Sequence, residues 1–185
     1  MSEVQYINHT LLKPDTVEQR LYQLSLAGEA LKRSTLIVLP TGLGKTVVAL
    51  LVMVARLTKG KVMILSPTKP LVEQHAAFFR NALTIPPEEV VLFTGSTPPG
   101  KRALMWEKAK VIVSTPQVIE NDLLAKKVSL EDVSCIIFDE AHRATGDYSY
   151  VYIGEKYAHQ SKEPLVLGIT ASPGSNPSKI QEVCA

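Results

Sequence analysis

The chain has 185 residues, of which 45% are hydrophobic and 21% charged, and a formal net charge of +2. That is enough for one domain with a full core and is globular rather than disordered, while the charge neither demands nor rules out nucleic acid, so any basic face must be local. The longest aliphatic stretch, Val47 to Ala55, is far short of the roughly 20 residues that span a bilayer, and the polar N-terminus shows no signal-peptide pattern, so no membrane partner is expected.

The opening dozen residues follow no clear pattern. Pro14-Asp15-Thr16 reads as a helix start, with Asp15 or Thr16 as cap and Glu18 in the first turn. Val17, Leu21, Leu24 and Leu31 follow at helical spacing. Short Val- and Ile-rich runs then recur at 35–39, 62–65, 90–93, 111–113, 133–138 and 165–169 and predict strands buried on both faces. Helical stretches near 45–59, 69–82, 99–108, 116–126 and 147–160 separate them. Gly60, after Arg56 and Lys59, reads as a helix C-terminus with matching charges. Cys135 sits inside an apolar run and reads as core, and with Cys184 it makes no disulfide framework, which points to a reducing interior.

Alternation of this kind predicts an α/β fold with right-handed crossovers and a mainly parallel sheet covered by helices. Ligands of such sheets bind at the carboxyl ends of the strands, so the residues after each apolar run carry the information. The first run ends in Pro40-Thr41-Gly42-Leu43-Gly44-Lys45-Thr46. Gly42 and Gly44 allow torsions that let successive N–H groups point at one anion. Lys45 can reach the β- and γ-phosphates of a nucleotide, the Thr46 hydroxyl can ligate Mg²⁺, and the helix that follows adds its positive end. The strict phosphate-loop pattern asks for Gly where this chain has Leu39. A plain glycine turn with a solvated lysine is the alternative.

Asp139-Glu140 ends the run Val133 to Phe138. Asp139 can hold Mg²⁺ through water, and Glu140 can orient and deprotonate an attacking water. His142 beside the pair suggests a link from the nucleotide site to Thr170 or Ser172. Thr68-Lys69 and Thr115-Pro116-Gln117 can contact a phosphodiester backbone through hydroxyls and helix-starting N–H groups, or can simply cap helices.

Together these segments resemble the first RecA-like domain of a superfamily 2 helicase, a P-loop NTPase. The glycine–lysine loop is similar to motif I, Ser66 to His75 to motif Ia, Asp139-Glu140-Ala141-His142 to motif II in its DEAH spelling, and Thr170-Ala171-Ser172 to motif III. Thr94-Gly95 and Thr115-Pro116-Gln117 look like the intervening nucleic-acid elements, and Arg20 with Tyr22-Gln23 resembles the adenine-recognition element. The superfamily tolerates Leu at position 39. The wording of Pro67 to Val72, Thr115 to Leu123, Asp139 to Ala144 and Thr170 to Gly174 narrows the resemblance to the archaeal Hef and Fanconi anaemia M protein family.

The resemblance implies an ATP- and Mg²⁺-dependent DNA helicase or translocase acting on branched or forked DNA. It implies nucleotide contacts at Arg20, Gln23 and residues 40–46, catalysis by Lys45, Asp139 and Glu140, and coupling through His142, Thr170 and Ser172. Nucleic-acid contacts are implied at Thr68, Lys69, Thr94, Gly95, Thr115, Pro116 and Gln117. The expected division is an N-terminal segment 1–33 with the adenine-recognition helix, the ATP-binding domain 34–176, and the start of a linker at 177–185 toward a second RecA-like domain. Low turnover of the chain alone follows. The setting implied is cytoplasmic if archaeal and nuclear if eukaryotic. An RNA helicase of the same superfamily and a non-catalytic nucleic-acid scaffold remain open, although the presence of Lys45, Thr46, Asp139 and Glu140 argues against the second.

Overall fold

A computed structural model describes residues 3–40, 42–142 and 148–171. In chain order they form α1 (Leu21–Lys32), β1 (Thr35–Val38), α2 (Lys45–Arg56), β2 (Lys61–Leu65), α3 (Lys69–Ala82), β3 (Val90–Phe93), α4 (Pro99–Lys108), β4 (Val111–Ser114), α5 (Pro116–Leu124), β5 (Val133–Asp139), α6 (Tyr148–Gln160) and β6 (Val166–Thr170). The strands make one six-stranded sheet in the order β1-β6-β5-β2-β4-β3, with every neighbouring pair parallel.

The alternation of side chains along each strand divides the interior in two. Val62 and Ile64 of β2, with Cys135 and Ile137 of β5, face one side, where α1, α2 and α3 cover them. Met63 and Leu65, with Ile136 and Phe138, face the other, packed by Trp106 of α4, Ile119 of α5 and Tyr150, Ile153 and Tyr157 of α6. Because both faces are covered, β5 is buried along its whole length, which is why its sequence is apolar apart from Ser134 and the terminal Asp139. The three-layer α/β fold predicted from the alternation is the one observed. Cys135 is fully buried, and burial pushes its thiol up to about 12, against the opposing pull of the Arg56 charge. No helix of the described residues is long and apolar enough to cross a membrane.

The N-terminal helix does not begin at Pro14–Thr16. Residues 5–7 pair antiparallel with 17–19, the Ile7 N–H donating to Val17 O (2.8 Å) and the Gln19 N–H to Gln5 O (2.7 Å). Val17 is buried beside that pairing, and Asp15 turns the chain at φ 57°. Helix α1 starts only at Leu21, with Arg20 as its N-cap. Its core face is Gln23, Ala27 and Ala30, while Leu21 is 78% exposed. Pairing with a distant segment outweighed the local start signal. The same segment is tied to the end of α3 by Lys13 N–H to Ala82 O (2.8 Å) and Thr84 N–H to Leu11 O (2.9 Å).

Gly60 also has a different reason from the one predicted. Helix α2 ends at Arg56, and Arg56 is buried, its guanidinium donating to Ser134 O (2.9 and 2.6 Å) and Glu163 O (3.0 Å). Gly60 is not in the left-handed region. Instead a Cβ there would lie 2.5 Å from Asp132 O, because Lys61 N–H bonds that same carbonyl at 2.9 Å. Gly60→Ala is therefore expected to destabilise the fold by about 1–3 kcal/mol through backbone displacement. A denaturant midpoint equal to that of the parent would contradict this.

Candidate nucleotide and nucleic-acid site

The strand order sets the carboxyl-terminal rim. Read across the sheet, it carries the 40–44 loop after β1, Thr170 at the end of β6, Asp139 at the end of β5, Ser66 after β2, Thr115 after β4 and Thr94 after β3. The residues assigned to nucleotide thus lie on the β1-β6-β5 half, and those assigned to nucleic acid on the β2-β4-β3 half.

On the first half, Leu39 is buried and its N–H donates to Thr170 O (3.0 Å), one step past the β1–β6 ladder. The chain is still extended there, so glycine is not required, and the turn is made by Gly42 (φ 90°) and Gly44 (φ 80°). Gly44 is the left-handed N-cap of α2, and a Cβ on it would collide with Gln23 Nε2. Gln23 reaches the loop from α1: Nε2 donates to Leu43 O (3.2 Å), as does the Tyr22 hydroxyl (2.8 Å). Arg20 does not join them and pairs instead with exposed Glu18 (3.3 Å).

Lys45, the first residue of α2, projects toward the acid pair, with Nζ 3.2 Å from Glu140 Oε1 and 3.7 Å from Asp139 Oδ1. Thr46 is the next residue on the same turn. Asp139 is 2% exposed. Its Oδ2 accepts from Ser66 Oγ (2.9 Å) and lies 2.8 Å from His75 Nε2, and its Oδ1 accepts from the Glu140 N–H (2.9 Å). Burial pushes this carboxyl up, but the His75 hydrogen bond and charge, with Ser66 and Lys45, outweigh burial and hold it below the usual carboxylate range. Glu140 has φ 54°. Such a conformation is strained for a residue with a Cβ and persists only where its surroundings impose it. His142 Nδ1 lies 2.8 Å from Thr170 Oγ1 and 3.7 Å from Glu140 Oε2, so adjacency of β5 and β6 brings these three together.

On the second half, Thr68 caps α3, its hydroxyl accepting from Leu71 N–H (3.4 Å). Exposed Lys69 is 3.9 Å from Glu73. Thr94 is buried with its hydroxyl 2.8 Å from Ser96 Oγ, while Gly95 is exposed and open. Thr115 caps α5 without a side-chain bond; Pro116 is buried and Gln117 exposed. Arg102 of α4 binds Asp122 of α5 through two 2.7 Å bonds and also donates to Thr97 O, which pins the Thr94–Thr97 turn to α5.

Thr41, Ser172, Arg143-Ala144 and the expected linker at 177–185 lie outside the described residues. Of the residues that shape the site, Arg102 and Tyr150 were not picked out from the sequence, and Ser66 and His75 entered only as the ends of the segment similar to motif Ia, with no role of their own. Tyr150 Oη lies 2.7 Å from Asp139 O and 3.2 Å from Leu65 O, and its ring meets Phe138 edge-on. His75 left one trace, a polar side chain on the apolar stripe Val72, Ala76, Phe79 of α3.

The donor set fits Mg²⁺ bound with a nucleotide. Among the described residues no cluster of three or more His, Cys, Asp or Glu could hold a metal by itself. Mg²⁺ in nucleotide sites is held by one or two carboxylates plus phosphates and water, which an ionised Asp139 facing the loop and a hydroxyl at Thr46 match.

Comparison with known proteins places this arrangement among others. The model of the DEAD/DEAH box helicase family matches residues 20–180. The crystal structure of the Pyrococcus furiosus Hef helicase domain is 55% identical, with a TM-score of 0.90 over 94% of this chain and 37% of that one. A Methanocaldococcus jannaschii protein, provisionally named as an ATP-dependent RNA helicase, is 46% identical over 97% of this chain and 23% of its own length. The ATP-dependent DNA helicase MPH1 of Coccidioides immitis is 40% identical over 89% of this chain and 15% of its own length. The chain therefore spans less than a quarter of these two curated relatives.

Proposed function

The chain belongs to the DEAD/DEAH box helicase family, and from that premise we propose that it is the ATP-binding motor domain of a DNA helicase or translocase working on branched or forked DNA. The observation that carries this reading is Lys45 Nζ set 3.2 Å from Glu140 and 3.7 Å from Asp139, on the helix that follows the glycine turn. The two carboxylates hold the ammonium on the side where phosphates would sit.

In this reading the 42–46 amides and Lys45 bind the phosphates, and Gln23 and Tyr22 hold the loop in shape while lying where an adenine would be met. Thr46 and Asp139 would hold Mg²⁺, which would supply positive charge to the phosphate oxygens. Glu140 orients the attacking water and takes its proton. The His142–Thr170 contact carries the state of Glu140 to the end of β6. Thr68, Lys69, Gly95, Thr115 and Gln117 lie along the other half of the rim, where hydroxyls and helix N-termini suit a sugar-phosphate backbone without reading bases. Thr94 enters through its backbone, since its hydroxyl is paired with Ser96 Oγ.

Binding of fluorescent mant-ATP to the parent chain and to Lys45→Ala tests the nucleotide part. Loss of a charged hydrogen-bond donor to phosphate is expected to weaken binding by about 10–100-fold with the fold intact. Equal affinities would remove Lys45 from the site. RNA is a second reading, favoured by the name of the Methanocaldococcus relative, whereas the MPH1 name favours DNA. Competition between forked DNA and duplex RNA for the chain, followed by fluorescence anisotropy, decides between them.

A further inference from the structure

Asp139 is held from the opposite half of the rim. Its Oδ2 is shared by Ser66 Oγ (2.9 Å) and His75 Nε2 (2.8 Å), both from the β2–α3 passage. Its Oδ1 is left for the Glu140 N–H (2.9 Å) and faces Lys45 at 3.7 Å. The two oxygens are thus distinguished by their partners, one turned into the protein and one toward the phosphate loop. His75 is 6% exposed and its ring stacks on Phe79 at 6.1 Å, so the imidazole has little freedom to turn. An ionised carboxylate only accepts, so Nε2 carries the proton that bonds Oδ2. Burying a histidine in the apolar stripe of a helix is costly unless its polar atoms are used, and the observed use is this bond.

We infer that His75 is a positioning residue: by binding Oδ2 it fixes the Asp139 carboxylate with Oδ1 toward the site of Mg²⁺ and phosphate. The inference rests on the nucleotide reading above. His75 touches neither phosphate nor metal. It acts on Asp139 as an outer partner acts on a metal-binding carboxylate, where loss of such partners costs about 10–100-fold in metal affinity.

The test compares mant-ATP binding in excess Mg²⁺ and in EDTA for the parent, His75→Gln, His75→Asn and His75→Leu. Gln carries an N–H to about the reach of Nε2, Asn falls a methylene short, and Leu has none. Binding in EDTA is expected to be alike in all four. The gain on adding Mg²⁺ is expected to fall about tenfold or more in Asn and Leu and to be largely kept in Gln. If Leu does not fold, the Gln and Asn pair alone decides, since both are polar and differ only in reach. A Mg²⁺ gain equal in Gln and Asn, or absent from the parent, overturns the inference while leaving nucleotide binding standing. A parent that binds no mant-ATP under either condition overturns the nucleotide reading and this inference with it.

Discussion

Supplied with Mg²⁺, ATP and forked DNA, the 185-residue chain is expected to turn ATP over about 10³–10⁵-fold more slowly than the same chain joined to the second RecA-like domain that its family resemblance implies. Transfer of the γ-phosphoryl group develops charge on its equatorial oxygens, and an arginine from a facing domain typically stabilises that charge by this factor. Among the described residues the cation beside the acid pair is Lys45. Four arginines of the described residues are committed elsewhere: Arg20 to Glu18, Arg56 to Ser134 and Glu163, Arg80 to Val90, and Arg102 to Asp122. Among the described residues, then, the proposed phosphate and water contacts have Lys45 and Glu140 but no arginine paired with the acid pair. Phosphate release, measured with and without the added domain, checks this. Fast DNA-stimulated release by the chain alone would show that the arginine requirement is misplaced.

Asp122→Ala is expected to cost about 3–5 kcal/mol of folding stability, a large share of the roughly 5–15 kcal/mol that holds a domain of this size. Arg102 and Asp122 are 7% and 3% exposed at their side chains and meet through two 2.7 Å bonds. Removing the acid strands a guanidinium between α4 and α5 with only the Thr97 carbonyl left to accept from it. The proposed nucleic-acid contacts are expected to suffer as well, because Arg102 joins the Thr94–Thr97 turn to the helix that begins at Pro116. Oligonucleotide binding is expected to fall along with the denaturant midpoint. Arg102→Met combined with Asp122→Leu should recover much of the stability, since two apolar side chains leave no buried charge behind. It should not recover the turn geometry. A midpoint for Asp122→Ala within about 0.5 kcal/mol of the parent would show the pair to be dispensable.

The two predictions concern different halves of one rim, and the halves meet at Asp139. Its backbone belongs to β5 and the nucleotide half, yet Ser66 and His75, which hold its Oδ2, come from the passage between β2 and α3. Thr68 and Lys69, at the start of that helix, stand on the proposed nucleic-acid side. The short Ser66–His75 passage therefore touches both proposed ligand surfaces.

Much of this was legible in the chain itself. Runs such as Val133 to Phe138 announce strands buried on both faces, and regular alternation with helical stretches leaves a parallel three-layer fold as the packing that covers them. Gly42, Gly44 and Lys45 are a local device, so their spacing alone locates the loop. Asp139-Glu140 could be read because it ends a strand. Two local signals misled: the start at Pro14–Thr16 was overridden by pairing with residues 5–7, and Gly60 is required by the nearness of Asp132 O rather than by its own torsion.

What the sequence by itself determined was the element order, the fold class and the residues at each strand end, because propensity, burial period and turn chemistry act over a few neighbouring residues. Which strand ends become neighbours was decided only by the tertiary structure. The order β1-β6-β5-β2-β4-β3 is not the chain order. It sets Thr170 beside His142, Ser66 beside Asp139 and Arg102 against Asp122 through crossovers that no local pattern encodes. Those contacts depend on which sheet edges and helix faces pack best over the whole core.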